Sequence, residues 1–276
     1  MREILKKILK IIEKIIDDHV SAYAAQSAFF MMLSLVPIIL LLMTLVRYTP
    51  ITQGDIIAVA YELFPKTISS TIISLVNEVY RQTGTTISVT VLVALWSAGK
   101  GVLAMSNGLN SIKGLKETRN YFFLRLRATV YTVLFLVTII FSLVFLGFGN
   151  AISLLVTKYV PVIQYVIDFI IEIRTVTMIF VLIAFSLSIY LFLPNKRGRI
   201  RNQLPGAIFS AFGWTFASFI FSIYMDVFKG FSNLYGSFAT IVLIMLWLYF
   251  CMYVMLLGGE INTILEEQLD NFYKNR

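Results

Sequence analysis

The sequence has only one cysteine and one histidine among its 276 residues. Cys251 has no second cysteine with which to form an intramolecular disulfide or a cysteine metal cluster. His19 follows Asp17 and Asp18, but adjacent residues on a helix point in different directions and do not converge on one ion. Because a metal-dependent hydrolase or nuclease needs several converging ligands, we expect a protein that is not an enzyme and that uses no metal or cofactor.

Charge is also scarce, since 14% of the residues are charged and 58% are hydrophobic, with a mean hydropathy of +0.83. A soluble domain is only about half apolar, and uncharged apolar runs of about 18 residues can cross a membrane. The sequence therefore predicts an all-α membrane protein whose residues 21–265 form a six-span transmembrane helical bundle. The predicted spans are 27–46, 87–109, 129–155, 176–193, 205–227 and 237–259.

The fifth predicted span, 205–227, is the least apolar because small and hydroxyl residues such as Ser210, Gly213 and Thr215 interrupt it. Small residues of this kind are typical of helices that pack closely against other helices. We therefore expect this span to be buried inside the bundle rather than to face lipid.

The net charge of +8 comes from basic residues that cluster in alternate connections. They concentrate in the N-terminal segment, in 113–127, in 196–201 and in the tail 266–276. Because short basic loops stay in the cytoplasm, this distribution predicts that both termini are cytoplasmic. Topology then explains the basic excess, so we expect no nucleic-acid partner.

Residues 1–20 have apolar side chains at helical spacing with lysines between them, which predicts an amphipathic helix at the membrane surface. Ile8, Ile12 and Ile15 are predicted to enter the lipid, although the same pattern also fits a helix packed on its own domain. Similar periodicity predicts capping helices in the outer loop 47–85 and at 158–174. No cleavable signal is expected in the sequence.

The stretch "LWSAGKGVLA" places Lys100 between two glycines in the middle of the second predicted span. Trp96, Lys100 and Asn107 recur at helical spacing and form a polar stripe on one face. The glycines at 99 and 101 allow a second helix or a ligand to approach the backbone closely. This stripe is a candidate substrate or ion site; a structural ion pair and a lysine that snorkels to the interface are the alternatives.

The sixth predicted span ends in "LLGGEIN", which places Glu260 and Asn262 near the cytoplasmic boundary. Both residues are assigned to the same candidate site, and Glu260 is the expected counter-ion of Lys100. Pro37 in the first span removes one backbone hydrogen bond and predicts a helix kink.

The chain resembles the YihY family, also called the BrkB virulence-factor family, over nearly its whole length. The resemblance lies in "AAQSAFFMMLSLVPIILLL", "LWSAGKGVLAMSNGLNSI", "LPGAIFSAFGW", "LYGSFATIVLIMLWLY" and "LLGGEIN". It implies a bacterial inner-membrane protein with six helices and no settled biochemical activity. Members were once labelled ribonuclease BN, a name regarded as a misassignment, and no catalytic residues carry over to this sequence.

These observations favour a transporter-like protein that binds or moves an anionic lipid or another anionic envelope precursor. Membrane lipids, anionic ones in particular, are therefore the expected partners. The alternative is a non-transporting membrane scaffold or regulator, in which Lys100 only fixes helix packing. A ribonuclease is the third and weakest hypothesis because metal ligands are lacking.

Overall fold

The computed structural model describes residues 2–46, 84–134, 174–227 and 232–274, together with isolated positions between 53 and 81 and at 138. Within these residues the chain forms seven helices and no strand. They are α1 (Arg2–Asp17), α2 (Val20–Val46), α3 (Gly84–Ile112), α4 (121–134), α5 (Arg174–Phe192), α6 (Ile200–Val227) and α7 (Ser232–Lys274). The predicted all-α architecture is confirmed.

The core lies where α2, α3 and α7 meet. Helix α2 packs along α3 and also contacts α7, while α6 packs between α5 and α7. The buried face of α2 carries small residues, among them Ala24, Ser27 and Ala28, which let its neighbours approach closely. Methionine and leucine side chains of α3 and α7, including Met105, Met252, Met255 and Leu256, fill the space between the helices.

Two helices of the described part of the chain are long and apolar enough to cross a membrane, namely Ile200–Tyr224 in α6 and Ile241–Leu269 in α7. The apolar helix Val176–Phe192 is shorter. One face of α6 leaves large apolar side chains exposed, including Phe212, Phe216 and Phe219. The prediction that the fifth span is buried in the bundle is therefore wrong, because in the described part of the chain α6 packs through its small-residue face and leaves its phenylalanine face exposed.

The predicted spans 27–46 and 87–109 fall inside α2 and α3, and 129–155 begins in α4 and continues beyond the described residues. The capping helices predicted in 47–85 and 158–174 lie almost wholly outside the described residues. Pro37 lies within the bounds of α2, but its side chain is outside those described, so the kink stays a prediction. The count of six spans also stays a prediction.

Helix α1 is joined to α2 by a tight corner at Asp18 and His19. His19 has a φ of 53°, a left-handed conformation that is uncommon for a residue other than glycine. Ile12 and Ile16 point outward and are exposed, whereas Ile15 packs against the core. Ile15 is partly buried against the core and so presents less of its surface outward than Ile12, and the side chain of Ile8 lies outside the described ones. The entry of these isoleucines into lipid stays a prediction.

Candidate functional site

The two glycines beside Lys100 mark where two different helices approach α3. A Cβ atom added at Gly99 would lie 2.9 Å from Thr129 Oγ1 on α4. A Cβ atom added at Gly101 would lie 2.7 Å from Met31 Cγ and 3.1 Å from the Ser27 carbonyl oxygen on α2. Lys100 therefore lies on the strip of α3 between these two close contacts, and its side chain is exposed.

Aromatic rings lie close to this lysine and to a second cation. Lys100 Nζ is 5.3 Å from the centroid of the Phe30 ring on α2. Arg125 of α4 is 5% exposed, and its guanidinium carbon is 4.7 Å from the centroid of the Trp96 ring. Both distances are within the range of cation–π attraction. We refer to Phe30, Trp96, Lys100 and Arg125 as the Lys100 cluster.

Arg125 places a positive charge in the interior of the protein. From the sequence, this residue was counted only among the basic residues of the cytoplasmic segment 113–127. Its Nη2 donates a hydrogen bond to the Trp96 carbonyl oxygen. Its Nε is buried and has no acceptor among the described residues. An unpaired buried donor costs about 1–3 kcal/mol, so an oxygen acceptor that reached Arg125 would be bound favourably. Sequence spacing gives no sign of this contact because it joins two helices.

The five residues of the predicted site fall into two separate groups. Trp96, Lys100 and Asn107 are all exposed on α3, as one stripe on that helix would require. Glu260 and Asn262 are instead buried in α7, with exposures of 1% and 0%. The predicted site is thus two features, an exposed stripe on α3 and a buried pair of polar residues in the C-terminal half of α7.

Glu260 makes an ion pair with α1 rather than with α3. Its Oε1 lies 2.8 Å from Lys14 Nζ, which is also 3.6 Å from Glu267 Oε1. The prediction that Glu260 is the counter-ion of Lys100 is therefore wrong, because α1 folds back and brings its last turn against α7. Sequence reasoning missed Lys14 because no local spacing relates residues so far apart in the chain.

Asn262 supports the backbone at the crossing of α6 and α7. Its Oδ1 accepts a 2.7 Å hydrogen bond from the Gly206 backbone N–H, and its Nδ2 donates a 3.1 Å hydrogen bond to the Gln203 carbonyl oxygen. Pro205 lies between these two residues, so Asn262 holds the backbone of α6 on both sides of the proline. Asn262 therefore has a structural role in this arrangement.

A second polar network joins the segment after α3 to the segment after α5. Arg119 and Glu117 form a two-pronged pair, with Nε to Oε1 at 2.8 Å and Nη2 to Oε2 at 2.6 Å. Asn110 Nδ2 donates to Glu117 Oε2 at 2.9 Å, and Asn110 Oδ1 accepts from the Asn195 backbone N–H at 2.8 Å. The network fixes the ends of α3 and α5 relative to each other.

We expect this network to lose its stabilising effect in acid, although Glu117 keeps its charge to a lower pH than exposed carboxylates do. The hydrogen bond from Arg119, reinforced by Asn110, lowers the pKa of Glu117 from 4.5 to about 2. A carboxylate whose pKa is lower in the folded than in the unfolded protein stabilises the fold at any pH above the unfolded-state pKa. This stabilisation is lost as the pH falls toward the folded-state pKa. Glu117→Gln should thus destabilise the protein by about 2 kcal/mol at neutral pH and flatten the fall of melting temperature below about pH 4.5.

The matched control is Glu13→Gln, because Glu13 is an exposed carboxylate on α1. Melting curves of both variants and the unchanged protein across the acid range provide the comparison. Equal acid slopes for Glu117→Gln and Glu13→Gln would contradict the role given to the Arg119 pair.

Comparison with known proteins places the chain among membrane proteins. The family model described as Virulence factor BrkB matches residues 11–276. The ribonuclease-like protein YfkH of Bacillus subtilis (strain 168) is 32% identical over 247 residues, which cover 89% of this chain and 90% of YfkH. A UPF0761 membrane protein of Aliivibrio fischeri (strain MJ11) is 25% identical over 265 residues, covering 92% of this chain and 81% of that protein.

A third relative, a UPF0761 membrane protein of Pseudoalteromonas atlantica, is 26% identical over 267 residues. The aligned region covers 92% of this chain and 86% of that protein. No solved structure matches the chain. The family match and the relatives together span both the Lys100 cluster and the ion pair of Glu260. The chain therefore belongs to the Virulence factor BrkB family and is a membrane protein.

Proposed function

We propose that the protein crosses the bacterial inner membrane six times, binds an anionic lipid or another anionic envelope precursor, and moves it across the membrane. In this proposal both termini and the basic segments 113–127 and 196–201 lie in the cytoplasm. The alternating basic connections, the two long apolar helices and the membrane relatives support this arrangement.

The observation that carries the proposal is the exposed position of Lys100 on α3. Lys100 lies nine residues before the predicted inner end of its span, which corresponds to roughly 14 Å at helical rise. An ammonium group at such a depth costs at least about 2.5 kcal/mol in hydrocarbon unless a partner compensates its charge. An exposed lysine between two closely packed neighbouring helices is open to a mobile anionic partner.

The surroundings of Lys100 suit an anionic headgroup in particular. The buried guanidinium of Arg125 lies against Trp96, one helical turn from Lys100, and its Nε has no acceptor in the described part of the chain. A phosphate or carboxylate offers several acceptor oxygens, and hydrogen bonds to charged groups are stronger than those between neutral groups. Two cations beside aromatic rings therefore support selection of an anion over a neutral solute.

The second candidate function, a non-transporting scaffold or regulator, is favoured by the contact between Lys100 and Phe30. At 5.3 Å from the ring centroid, the ammonium group already has a cation–π partner within its own fold. In this alternative the lysine fixes α2 against α3 and binds nothing else. The two functions differ in whether Lys100 is needed for a response to anionic lipid.

We also propose that the protein has no enzymatic activity and needs no metal or cofactor. The proposal rests on the single histidine and single cysteine of the sequence, which leave few ligands for a catalytic ion. It applies equally to a nuclease activity, which we expect to be absent with or without added magnesium.

The lipid response of Lys100→Ala tests the proposed function. We expect anionic lipid to raise the melting temperature of the purified protein, because a ligand that binds only the folded state stabilises it by about 2.7 kcal/mol at one hundred times its dissociation constant. Lys100→Ala should lose most of this increase, and Lys100→Arg should keep part of it. Zwitterionic lipid should have little effect on any of the three proteins.

Lys116→Ala is the matched control because it removes the same charge from an exposed lysine outside the predicted spans. It should keep the full response to anionic lipid. If Lys100→Ala and Lys116→Ala responded alike, binding at Lys100 would be contradicted and the scaffold would be favoured.

A further inference from the structure

The corner between α1 and α2 brings three carboxylates around one lysine. Lys14 Nζ contacts Glu260 Oε1 at 2.8 Å and Glu267 Oε1 at 3.6 Å. Asp18, the first residue of the corner, lies within hydrogen-bonding reach of the Glu260 side chain. The corner thus holds more negative than positive charge, and one of its carboxylates, Glu260, is almost completely buried.

Three carboxylate oxygens at this corner, Asp18 Oδ2 and both oxygens of Glu260, are buried and receive no hydrogen bond from any residue that the structure describes. Glu260 Oε1 has the ion-pair contact with Lys14, so Asp18 Oδ2 and Glu260 Oε2 are the two that also have no cation in contact. Lys14 already contacts the other Glu260 oxygen and Glu267. Two ionised carboxylates in such contact repel each other, and a single proton held between them removes both the repulsion and the missing donor.

We propose that Asp18 and Glu260 share one proton, so that this corner is a proton-binding site that holds α1 against α7. The proton comes from solvent and sits between one oxygen of each carboxyl group, while Lys14 neutralises the remaining charge of the pair. Loss of the proton restores the repulsion between the two carboxylates and loosens the attachment of α1. This site is separate from the Lys100 cluster and does not depend on lipid binding there.

The charged groups around the pair support retention of a proton. Burial raises the pKa of Asp18, and Asp17 and Glu267 act in the same direction, whereas Lys14 and the hydrogen-bonding contact with Glu260 oppose the rise. Among the described residues, the groups acting on the pair are Lys14 and Asp17 from α1 and Glu267 from α7. A carboxyl group whose pKa is higher in the folded than in the unfolded protein stabilises the fold at low pH. This stabilisation is lost as the pH rises through the folded-state pKa.

The geometry of α1 explains how one proton could affect the whole helix. The backbone joins α1 to the bundle only through the corner at Asp18 and His19, and His19 has the left-handed φ of 53°. The outer face of α1 carries exposed apolar residues such as Ile12 and Ile16. The ion pairs of Lys14 with Glu260 and Glu267 tie the last turn of α1 to α7, and the proposed proton would add a further polar contact at the same corner.

Infrared difference spectroscopy of the full-length protein in lipid vesicles tests the proposal. The unchanged protein should show a protonated carboxyl band that disappears as the pH is raised. Asp18→Asn and Glu260→Gln should each lose this band, since either change removes one of the two carboxyls that share the proton. Glu267→Gln, which alters a carboxylate that contacts Lys14, should keep it.

Hydrogen exchange of the α1 amides gives a second readout on the same proteins. In the unchanged protein, protection of α1 should fall as the pH rises, after correction for the intrinsic exchange rate. Asp18→Asn should keep α1 protected at alkaline pH because it removes the repulsion and leaves the pair of Lys14 and Glu260 intact. A carboxyl band that persists in both Asp18→Asn and Glu260→Gln, or its absence from the unchanged protein at every pH, would overturn the shared proton.

Discussion

Gly206→Ala should destabilise the folded protein by about 3 kcal/mol, near the upper end of the range for overpacked interiors. A Cβ atom added at Gly206 would lie 2.0 Å from the Gly258 carbonyl oxygen and 2.5 Å from Asn262 Nδ2. Because the first of these atoms belongs to the backbone of α7, it cannot rotate away, and the two helices must separate. That separation would also break the hydrogen bond from the Gly206 N–H to Asn262.

Gly213→Ala is the matched control on the same helix. A Cβ atom added at Gly213 would meet Val254 Cγ1, a side-chain atom, rather than backbone. Valine has few rotamers in a helix, so some strain remains, but a side chain yields more readily than the backbone of α7. Alanine is also the better helix former by up to about 1 kcal/mol, so this variant should be less destabilised than Gly206→Ala. Thermal unfolding of both variants in one detergent supplies the measurement. Similar losses of melting temperature would contradict the close crossing of α6 and α7.

Lys14→Met should also destabilise the protein strongly, by about 2 to 3 kcal/mol. It leaves Glu260, which is 1% exposed, without its cation at 2.8 Å. Removing one partner of a buried ion pair costs about 3–5 kcal/mol, and the effect is smaller here because the Lys14 side chain is 29% exposed. Glu260→Gln in the same protein should recover part of the loss, since no buried carboxylate is then left unpaired.

The double-mutant cycle of Lys14→Met and Glu260→Gln measures this coupling directly. Lys10→Met is the control because Lys10 lies one turn earlier on α1 and is exposed. It should have little effect alone and should show no coupling with Glu260→Gln. Additive effects of Lys14→Met and Glu260→Gln would contradict the ion pair that links α1 to α7.

The positions of several helices could be predicted from the sequence because long apolar runs are a local property of the chain. Thus 176–193 and 205–227 closely match α5 (Arg174–Phe192) and α6 (Ile200–Val227). The end of α7 could not be predicted in this way, because the helix continues to Lys274 whereas the predicted apolar span ends at 259. Hydropathy follows the lipid boundary, whereas a helix continues wherever its backbone hydrogen bonds can form.

The contacts of the polar residues could not be predicted in the same way. The glycines beside Lys100 indicated close approach, but only the fold shows that Gly99 meets α4 and Gly101 meets α2. Likewise Glu260 pairs with Lys14, which the sequence pattern assigned to a membrane-surface helix. Such pairs are set by how distant helices pack, and periodicity within one segment carries no information about the packing partner.

The most direct test of the proposed function is movement of a fluorescent anionic lipid between the leaflets of proteoliposomes. We expect the unchanged protein to accelerate this movement over protein-free vesicles. Lys100→Ala should slow it at least about tenfold, because removal of one charged hydrogen-bond donor weakens binding by about 1.5–3 kcal/mol. Lys100→Arg should retain intermediate activity. Equal rates for the unchanged protein and Lys100→Ala, or no rate above that of protein-free vesicles, would contradict an anionic-lipid transporter that acts through Lys100.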